Sequence, residues 1–404
     1  MRILYLTYDG LTDNLGQSQI LPYLIGLAKR GHHFTIVSVE KKERYAMQAS
    51  HIKTMLSEVN IIWEPCFYAT FPPIFHAWFN YQRLYRKAYQ VLKKNQNSPF
   101  HIVHSRSYLP MMAALALKKH FPLATLFDMR GFWADERKES GLWNTKNPIF
   151  GLIYRFFKRK EKKLLQEADA IISLTEKAKT YMLDNQWTTK PISVIPCCVA
   201  TDFFCPTTMR RTLPEKSAFR VVYVGSLGTW YLVREMAMFF YQFWQQNPES
   251  IWQIITPDAP EKVYFYTDSI GIPRQAMTIQ SAQRQAMPTL LEKADIALFF
   301  IQPSFAKIAS SATKLGELLA MGLPVISNIH TGDQAFLQEK YDFGCLVNAF
   351  NTDEYQKAIA QIPHLLSRDK AHYRAVALAY FSLENGIEKY EQVYNHLLHK
   401  KSPQ

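Results

Sequence analysis

The sequence has no long run of uncharged apolar residues and few cysteines, and each shortage excludes a class of protein. No stretch of the 404 residues approaches the roughly 18 apolar residues that a membrane-spanning helix needs. The first residues, MRILYLTY, lack the features of a secretory signal and predict a first β-strand instead. The five cysteines are odd in number and lack paired metal-ligand spacing, so they favour reduced thiols in a cytoplasm.

Acidic residues are also in short supply. The chain has 34 Asp or Glu against 47 Lys or Arg, a formal net charge of +13. Nucleic acid, an anionic membrane and phosphorylated substrates all suit such a charge. Basic residues concentrate at 71–94 and 155–163, and the first of these segments interleaves them with aromatic side chains and no acidic residue. This pattern predicts contact with an anionic membrane through 71–94 and 155–163, although solvated helix faces carry the same residue types.

Apolar strand-like runs alternate with amphipathic segments, which predicts an α/β fold with parallel sheets. A strand at 2–8, a glycine loop, a helix over about 17–30 and a strand at 34–39 form an opening βαβ unit. A short third strand is expected at 59–65. The opening loop is not G-x-G-x-x-G, so it gives little support to a dinucleotide site.

The pattern begins again at 220–224, after a linker at 205–217 that contains prolines and mixed charges. A chain of this length suits two domains, each large enough for its own core. The predicted domains are 1–205 and 206–383, followed by an amphipathic helix at about 384–404.

Residues 305–328, FAKIASSATKLGELLAMGLPVISN, read as a loop, a short helix and a buried strand. Leu315, Leu318 and Leu319 have the spacing of one buried helix face. Gly322 is expected in the left-handed conformation that ends the helix.

The start of this helix is the clearest candidate ligand site. Ser310 or Ser311 is expected to cap it, and a helix N-terminus that opens onto small residues binds anions. Glu317 lies about one turn further in, where its carboxylate would reach hydroxyl groups on the same ligand, and Lys314 lies three residues before it. A phosphate next to vicinal hydroxyls is a nucleotide. The alternative is an ordinary amphipathic helix with a solvated Lys–Glu pair.

Charged residues also follow two predicted strands of the first half, at the sheet edge where ligands bind. His104 and Arg106 end the strand at 100–105, and the strand at 123–129 leads into DMRGFWADERKES. The alternative to a functional loop is a surface loop of salt bridges.

The run SSATKLGELLAMGLPVI resembles the donor-site helix of the retaining GT-B glycosyltransferases of family four, in a branch associated with capsule and exopolysaccharide. The glycine loop, DMRGFWADE, VIPCC and GSLGTWY match this branch in the same chain order. The resemblance spans nearly the whole chain. It implies two Rossmann-like, doubly wound domains that face an interdomain cleft. The N-terminal domain would bind the acceptor, the C-terminal domain would bind the nucleotide sugar, and the terminal helix would pack back on the first domain.

The resemblance also implies roles for individual residues. Glu317 would hold the ribose hydroxyls, while the helix start and Lys314 would hold the diphosphate without a metal or other cofactor. Arg130 would stabilise developing phosphate charge, and Asp128 or Asp135 would orient the acceptor hydroxyl. The donor-binding candidates are Gly16, Gly225, Ser226, Arg234, Ser310, Ser311, Thr313, Lys314 and Glu317. The catalytic candidates are Asp128, Arg130 and Asp135, and the acceptor-binding candidates are His104, Arg106 and Glu136.

The predicted function is transfer of a sugar, with retention, from a UDP- or GDP-linked donor to a hydroxyl of a lipid-linked glycan in surface polysaccharide synthesis. The enzyme would be cytoplasmic and peripheral on the inner membrane face, with no nucleic-acid partner. Ala309 stands where many relatives have the first glutamate of E-x7-E, and Ser226 stands where they have an arginine. These departures motivate one alternative, a catalytically impaired nucleotide-sugar-binding or scaffold protein. The net charge motivates another, a basic nucleic-acid-binding protein.

Overall fold

The computed structural model describes residues 1–69, 76–211, 218–228 and 230–399. They form two compact units, each built on a parallel sheet, which confirms the predicted α/β class. Unit 1 comprises Met1–Pro196 and Leu383–Gln404, and unit 2 comprises Cys197–Ser382. No helix in the described ranges is long and apolar enough to cross a membrane.

Unit 1 contains eight parallel strands in the order β3-β2-β1-β5-β6-β7-β8, with β4 paired to β2. Its central strands are buried along nearly their whole length, as expected for a sheet covered by helices on both faces. The strands are β1 (Arg2–Thr7), β2 (His33–Glu40), β3 (Ile62–Trp63), β4 (Cys66–Phe67), β5 (Ile102–Arg106), β6 (Ala124–Asp128), β7 (Ala170–Ser173) and β8 (Ile192–Val194).

The helices of unit 1 connect these strands, and the last of them comes from the end of the chain. They are α1 (Asn14–Gln19), α2 (Leu21–Lys29), α3 (Lys42–Ser57), α4 (His76–Lys94), α5 (Tyr108–Lys118), α6 (Trp133–Glu139), α7 (Pro148–Glu167), α8 (Glu176–Asp184) and α16 (Leu383–His399). Helix α16 packs on α2, where a Cβ added to Gly26 would lie 2.2 Å from Ile387. The terminal helix therefore packs on unit 1, as predicted.

Two elements of unit 1 differ from their predicted form. The helix expected over 17–30 is broken at Ile20, which has φ −124° and ψ −63°, and Pro22 lies in the first turn of α2. Proline suits a first turn because the N–H that it lacks would have no partner there. The strand expected at 59–65 is present only as the two-residue strand β3, and a second short strand, β4, follows it; both pair with β2.

Unit 2 contains six parallel strands in the order β11-β10-β9-β12-β13-β14. They are β9 (Arg220–Val224), β10 (Ile251–Ile255), β11 (Met277–Gln280), β12 (Ile296–Leu298), β13 (Val325–Asn328) and β14 (Gly344–Val347). The helices are α9 (Val233–Gln246), α10 (Pro260–Ile270), α11 (Met287–Glu292), α12 (Thr313–Ala320), α13 (Gln334–Tyr341), α14 (Thr352–Leu366) and α15 (Lys370–Val376), with a π-helical turn at Ala377–Phe381.

The chain divides after Pro196 rather than after the predicted residue 205. Side chains and backbone groups between these positions belong to unit 2: Phe204 is 1% exposed in its core, and Arg374 donates to the Phe204 carbonyl at 2.7 Å. The N–H of Val199 donates to the Phe381 carbonyl at 2.8 Å. The predicted linker at 205–217 extends into 212–217, which lie outside the described residues.

Candidate functional site

The segment that carries the predicted donor site lies between β12 and β13 of unit 2. A 3₁₀ turn at Ala306–Ala309 precedes α12, and Leu315, Leu318 and Leu319 are 2%, 2% and 0% exposed. The predicted apolar face of α12 is therefore confirmed. Gly322 has φ +73°, the left-handed conformation expected at this helix end.

The start of α12 differs from the prediction that Ser310 or Ser311 caps it. The N-cap residue is Ala312, which provides no side-chain hydrogen bond. The hydroxyl of Ser311 instead accepts a hydrogen bond from the N–H of Cys197 at 3.1 Å. Ala312 therefore offers no side-chain acceptor to the first N–H groups of α12, and a helix start without such a cap suits an anion.

Glu317 lies on α12 next to an arginine whose role the sequence did not reveal. Nη1 of Arg284 lies 3.0 Å from a carboxylate oxygen of Glu317, and the Arg284 guanidinium lies 5.1 Å from the ring centre of Phe204. The Glu317 side chain is 14% exposed. Burial raises the pKa of Glu317 above its usual value, and the charge of Arg284 opposes this shift. An ionised carboxylate has two oxygens that accept hydrogen bonds, which suits two neighbouring hydroxyl groups.

Lys314 is buried against aromatic rings rather than solvated beside Glu317. Its Nζ lies 3.5 Å from the ring centre of Tyr231 and 4.4 Å from that of Tyr223, and the residue is 9% exposed. Within the described ranges this ammonium nitrogen has no hydrogen-bond partner. Burial lowers the pKa of Lys314 well below its usual value. The alternative of a solvated Lys–Glu pair therefore does not describe this helix.

The loop after β9 meets Lys314 at Gly225. A Cβ added to Gly225, which has φ +126°, would lie 2.8 Å from Nζ of Lys314, so only glycine fits here without displacing the lysine. The Tyr223 hydroxyl donates to the Ser226 carbonyl at 2.7 Å, and Asp258 accepts from the N–H of Leu227 at 2.7 Å. Thus the two segments predicted to hold the diphosphate adjoin at the carboxyl end of β9.

The other donor-binding candidates lie apart from this contact or in the other unit. Ser226 and Arg234 are exposed, and Thr313 begins α12. Gly16 is in α1 of unit 1, where an added Cβ would lie 2.2 Å from the Gly10 carbonyl oxygen. Gly16 thus allows its own loop to close tightly, and its contribution to donor binding remains a prediction.

A cluster of charged side chains lies at the carboxyl ends of β5 and β6 in unit 1, as predicted. Asp128 is 1% exposed, and its carboxylate lies 3.5 Å from His104, 3.8 Å from Arg106 and 3.6 Å from Arg130. The Tyr390 hydroxyl from α16 donates to the same carboxylate at 3.0 Å. Burial would raise the pKa of Asp128, but Arg130, His104 and Arg106 together hold it below the usual range.

This cluster is more buried than a surface salt-bridge loop would be. His104 and Arg106 are 2% and 3% exposed, and the Tyr394 hydroxyl hydrogen-bonds to Nδ1 of His104 at 2.7 Å. In this arrangement Asp128 fixes cationic side chains at the sheet edge. The catalytic and acceptor-binding roles given to these residues remain predictions.

Asp135 on α6 belongs to a second buried network. It accepts hydrogen bonds from the Tyr154 hydroxyl at 2.7 Å and from Nζ of Lys158 at 2.6 Å. Lys158 also pairs with Glu161, which is 0% exposed and accepts from the Tyr108 hydroxyl. Neither of the two alternatives given for 155–163, membrane contact or a solvated face, describes Lys158, because it pairs with these buried carboxylates. Glu136, which follows Asp135 on α6, is partly exposed.

The remaining basic residues of α7 do face outwards, together with large apolar side chains. Ile149, Leu152 and Phe156 are 66%, 62% and 45% exposed, at the spacing of one helix face, and Arg155 and Arg159 are also exposed. Helices α4 and α7 both pack against α5, so they cover the same face of the sheet.

Helix α4 carries a similar outer surface. Trp78 and Phe79 are 56% and 44% exposed. They line a surface cavity of about 430 Å³ together with Gln82, Arg83 and Arg86. Residues 71–75 of the predicted basic segment lie outside the described part of the chain. Among the described residues, no three His, Cys, Asp or Glu side chains are grouped closely enough to hold a metal ion.

Comparison with known proteins gives one family match and many structural matches. The family described as Glycosyltransferase Family 4 matches residues 23–203, which lie almost wholly in unit 1. No curated protein sequence matches the chain. The donor-site segment of unit 2 is therefore outside the matched family region.

Solved structures match over nearly the full length at low identity. Sucrose-phosphate synthase from Thermosynechococcus elongatus is 15% identical, with a TM-score of 0.67 over 99% of this chain and 100% of that one. HepE from Anabaena in complex with UDP is 11% identical, with a TM-score of 0.70 over 98% and 100%. UDP-GlcNAc 2-epimerase from Neisseria meningitidis is 12% identical, with a TM-score of 0.58 over 99% and 100%.

At these identities the structural likeness establishes the fold, which transferases share with an epimerase. The enzyme class predicted from the sequence is supported by the family match in unit 1. Over residues 23–203 the chain is similar to glycosyltransferases of family 4, and its two parallel-sheet units have the GT-B fold.

Proposed function

We propose that this protein transfers a sugar from a nucleoside-diphosphate sugar to a hydroxyl group of a glycan. The observation that carries the proposal is the arrangement around α12. An uncapped helix start, a buried lysine amine and a carboxylate follow one another within five residues, beside a glycine loop. Along a nucleoside diphosphate, the terminal phosphate, the phosphate next to the ribose and the ribose hydroxyls follow in the same order.

Each group would have a separate task. The N–H groups of α12 would stabilise the charge that develops on the leaving diphosphate, and Lys314 would add a positive charge once the bound diphosphate favours its protonated form. Glu317 would accept hydrogen bonds from the ribose hydroxyls. Since these groups supply the positive charge, we expect transfer without an added metal ion. UDP is the first nucleotide to test, because the similar HepE structure contains UDP.

We propose further that the anomeric configuration is retained, and that the acceptor is a lipid-linked glycan in surface polysaccharide synthesis. His104, Arg106 and Glu136 would bind the acceptor. Asp128 or Asp135 would orient its hydroxyl, while Arg130 would stabilise the charge that develops on phosphate. Exposed apolar and basic residues on α4 and α7 support contact with the inner face of an anionic membrane. Retention is tested by determining the anomeric configuration of the product by NMR.

Two other functions would give different results in the same assays. A catalytically impaired binding protein is suggested by Ala309 and Ser226. It would bind a nucleotide sugar, but it would show neither sugar transfer nor slow hydrolysis of the nucleotide sugar. A nucleic-acid-binding protein, suggested by the charge, would bind RNA or DNA with a steep salt dependence and without preference for a nucleoside diphosphate.

The experiment that tests the donor site is thermal stabilisation by UDP, GDP, ADP and CMP. A ligand at about 100 times its dissociation constant stabilises the folded chain by about 2.7 kcal/mol. We expect one diphosphate to stabilise the wild type, and we expect Glu317→Ala to lose most of that effect. Glu339→Ala, on the exposed side of α13, is the matched control and should behave as wild type. Absence of stabilisation by all four nucleotides would overturn the proposal.

A further inference from the structure

The surface cavity on α4 of unit 1 has no part in the donor and acceptor sites described above. Its volume is about 430 Å³, and it is lined by the rings of Trp78 and Phe79 and by Gln82, Arg83 and Arg86. These residues recur at the spacing of one helix face. Pockets that hold small ligands usually measure about 300 to 1,000 Å³, so this cavity is large enough to hold a ligand group.

Hydrogen bonds hold the part of α4 that forms this cavity in place. Nη1 of Arg83 donates to the Phe67 carbonyl at 2.7 Å. About one turn earlier, the buried Asn80 side chain accepts from the N–H of Ala69 at 2.7 Å and donates to the Tyr8 hydroxyl at 3.1 Å. Since Phe67 ends β4 and Tyr8 follows β1, the cavity lies beside the carboxyl edge of the unit 1 sheet.

The cavity carries positive charge that neighbouring carboxylates do not neutralise. Helix α4 contains no acidic residue, and Glu64 from another element pairs with Lys87 instead. Arg83 and Arg86 are exposed, and neither guanidinium forms an ion pair with a residue in the described ranges. A guanidinium binds phosphate through two parallel N–H groups, a geometry that the ammonium group of lysine lacks. Two guanidinium groups at one cavity therefore favour a phosphate ligand.

The two aromatic rings limit which phosphate compound fits. Trp78 and Phe79 are 56% and 44% exposed. A free phosphate would leave these rings in water, whereas a phosphate joined to an apolar chain would cover them. The exposed Ile149, Leu152 and Phe156 of α7 extend the apolar surface, because α4 and α7 cover the same face of the sheet. An extended apolar phase with anionic headgroups suits this face better than a small soluble molecule does, and tryptophan is typical of such interfaces.

We propose that the α4 cavity binds the phosphate of a single membrane phospholipid. Arg83 and Arg86 hold the phosphate, while Trp78 and Phe79 contact the glycerol and the first methylene groups of the acyl chains. The proposal rests on the membrane contact proposed above and adds a defined lipid site to it, which charge attraction alone would not provide. The bound lipid holds the carboxyl edge of the unit 1 sheet near the headgroups, where a lipid-linked acceptor would present its glycan.

The test is calorimetric titration of the full chain with a short-chain lipid, dihexanoyl phosphatidylglycerol, kept below its micelle concentration. Glycerol phosphate and a single-stranded oligouridine are titrated in parallel. The variants are Trp78→Ala and Arg86→Lys, the second of which keeps the charge but loses the paired N–H groups. The control is Arg274→Lys in unit 2, since Arg274 is an exposed arginine that also lies beside an aromatic ring, Tyr264.

We expect the wild type to bind one short-chain lipid per chain, and to bind glycerol phosphate about tenfold more weakly or less, because glycerol phosphate lacks the apolar part. Arg86→Lys and Trp78→Ala should each weaken lipid binding about tenfold, while Arg274→Lys should stay within about twofold of wild type. Since the replaced side chains are exposed, all three variants should keep the melting temperature of the wild type.

Four other results would overturn the lipid site. Equal affinity for glycerol phosphate and the lipid would mean that the cavity binds phosphate alone, and tighter binding of oligouridine would indicate a nucleic-acid site instead. If Arg86→Lys binds the lipid as tightly as Arg274→Lys does, the attraction is due to charge alone. If the wild type binds anionic vesicles but not the short-chain lipid, only the lipid site fails. If it binds neither, the proposed membrane contact fails as well, while stabilisation by nucleotides still tests sugar transfer separately.

Discussion

At the scale of single residues, the pair formed by Arg284 and Glu317 controls the charge of the carboxylate that we assign to ribose binding. Glu317 is mostly buried, which by itself favours the protonated form. Arg284 reaches it from a 3₁₀ turn far away in the sequence and lies over Phe204. Arg284 is therefore a positioning residue for Glu317, and its role should appear in how nucleotide affinity depends on pH.

Nucleotide binding should weaken on acidification at a higher pH than an ordinary glutamate would cause. The raised pKa of Glu317 means that the charged form, which accepts two hydrogen bonds, is present above that pKa and is lost as pH falls through it. Arg284→Met removes the opposing charge, so the pKa should rise further and the loss of affinity should begin nearer neutrality. The measurement is the dissociation constant of the bound diphosphate from mildly acidic to neutral pH.

Two variants make this result specific. Glu317→Gln should bind more weakly and lose this part of the pH dependence. Arg274→Met is a matched control, since Arg274 also pairs with a carboxylate, Asp268, and lies over an aromatic ring, Tyr264. A pH profile for Arg284→Met that equals that of Arg274→Met would contradict the assignment.

At the scale of secondary structure elements, α16 completes the buried charge cluster of unit 1. Its Tyr390 and Tyr394 hydroxyls contact Asp128 and His104, which the first half of the chain places at the edge of the sheet. Arg30 on the chain after α2 pairs with Glu391 of α16 at 2.7 Å. The last helix therefore provides hydrogen-bond partners that the sheet edge itself lacks.

Tyr390→Phe should lower the stability of the protein by about 1–3 kcal/mol, because it deprives a buried carboxylate of a donor. Tyr355→Phe is the matched control: its ring is equally buried, but its hydroxyl has no partner within the described ranges. This control should change stability little. The measurement is the shift in urea midpoint. Equal shifts for the two variants would show that the bond to Asp128 contributes nothing.

At the scale of the whole molecule, the positive charge belongs to one unit. Residues 197–382 contain 16 Lys or Arg and 16 Asp or Glu, so 31 of the 47 basic and 18 of the 34 acidic residues lie in unit 1. The entire net charge of +13 is thus in unit 1, which also carries the exposed apolar residues of α4 and α7. The neutral unit 2 would attract its anionic ligand only through local groups.

Anionic vesicles should therefore bind through unit 1. We expect the wild type to bind vesicles of phosphatidylglycerol and phosphatidylcholine, and to bind pure phosphatidylcholine weakly. Arg155→Glu with Arg159→Glu should cost about 2 kcal/mol or more, since each basic residue at such a surface contributes about 1 kcal/mol. The measurement is sedimentation with vesicles.

A charge-matched pair in unit 2, Lys293→Glu with Lys340→Glu, controls for net charge. It should leave vesicle binding nearly unchanged. Added salt should weaken vesicle binding strongly, because the screening length falls from about 8 Å at physiological ionic strength to about 3 Å at 1 M. If the unit 2 pair reduces binding as much as the α7 pair, the charge acts non-specifically and the membrane surface is misplaced.

The sequence by itself determined the order of elements, the apolar face of α12 and the left-handed Gly322, because hydrophobic periodicity and glycine chemistry act locally. It also placed charged residues at strand ends, since parallel strands end at one edge. It did not reveal that Ser311 bonds to Cys197 instead of capping α12, or that Lys158 turns inwards. Those outcomes depend on partners that are distant in the sequence.

Only the tertiary structure decided the environments of the site residues. Lys314 lies over Tyr231 because the loop after β9 packs on α12, and Glu317 meets Arg284 because a turn before α11 approaches the same helix. Such contacts set burial and therefore pKa, which no local pattern encodes. The same holds for Thr331, after β13, and Gln334, the first residue of α13: folding buries their polar side-chain atoms without a hydrogen-bond partner in the described part of the chain.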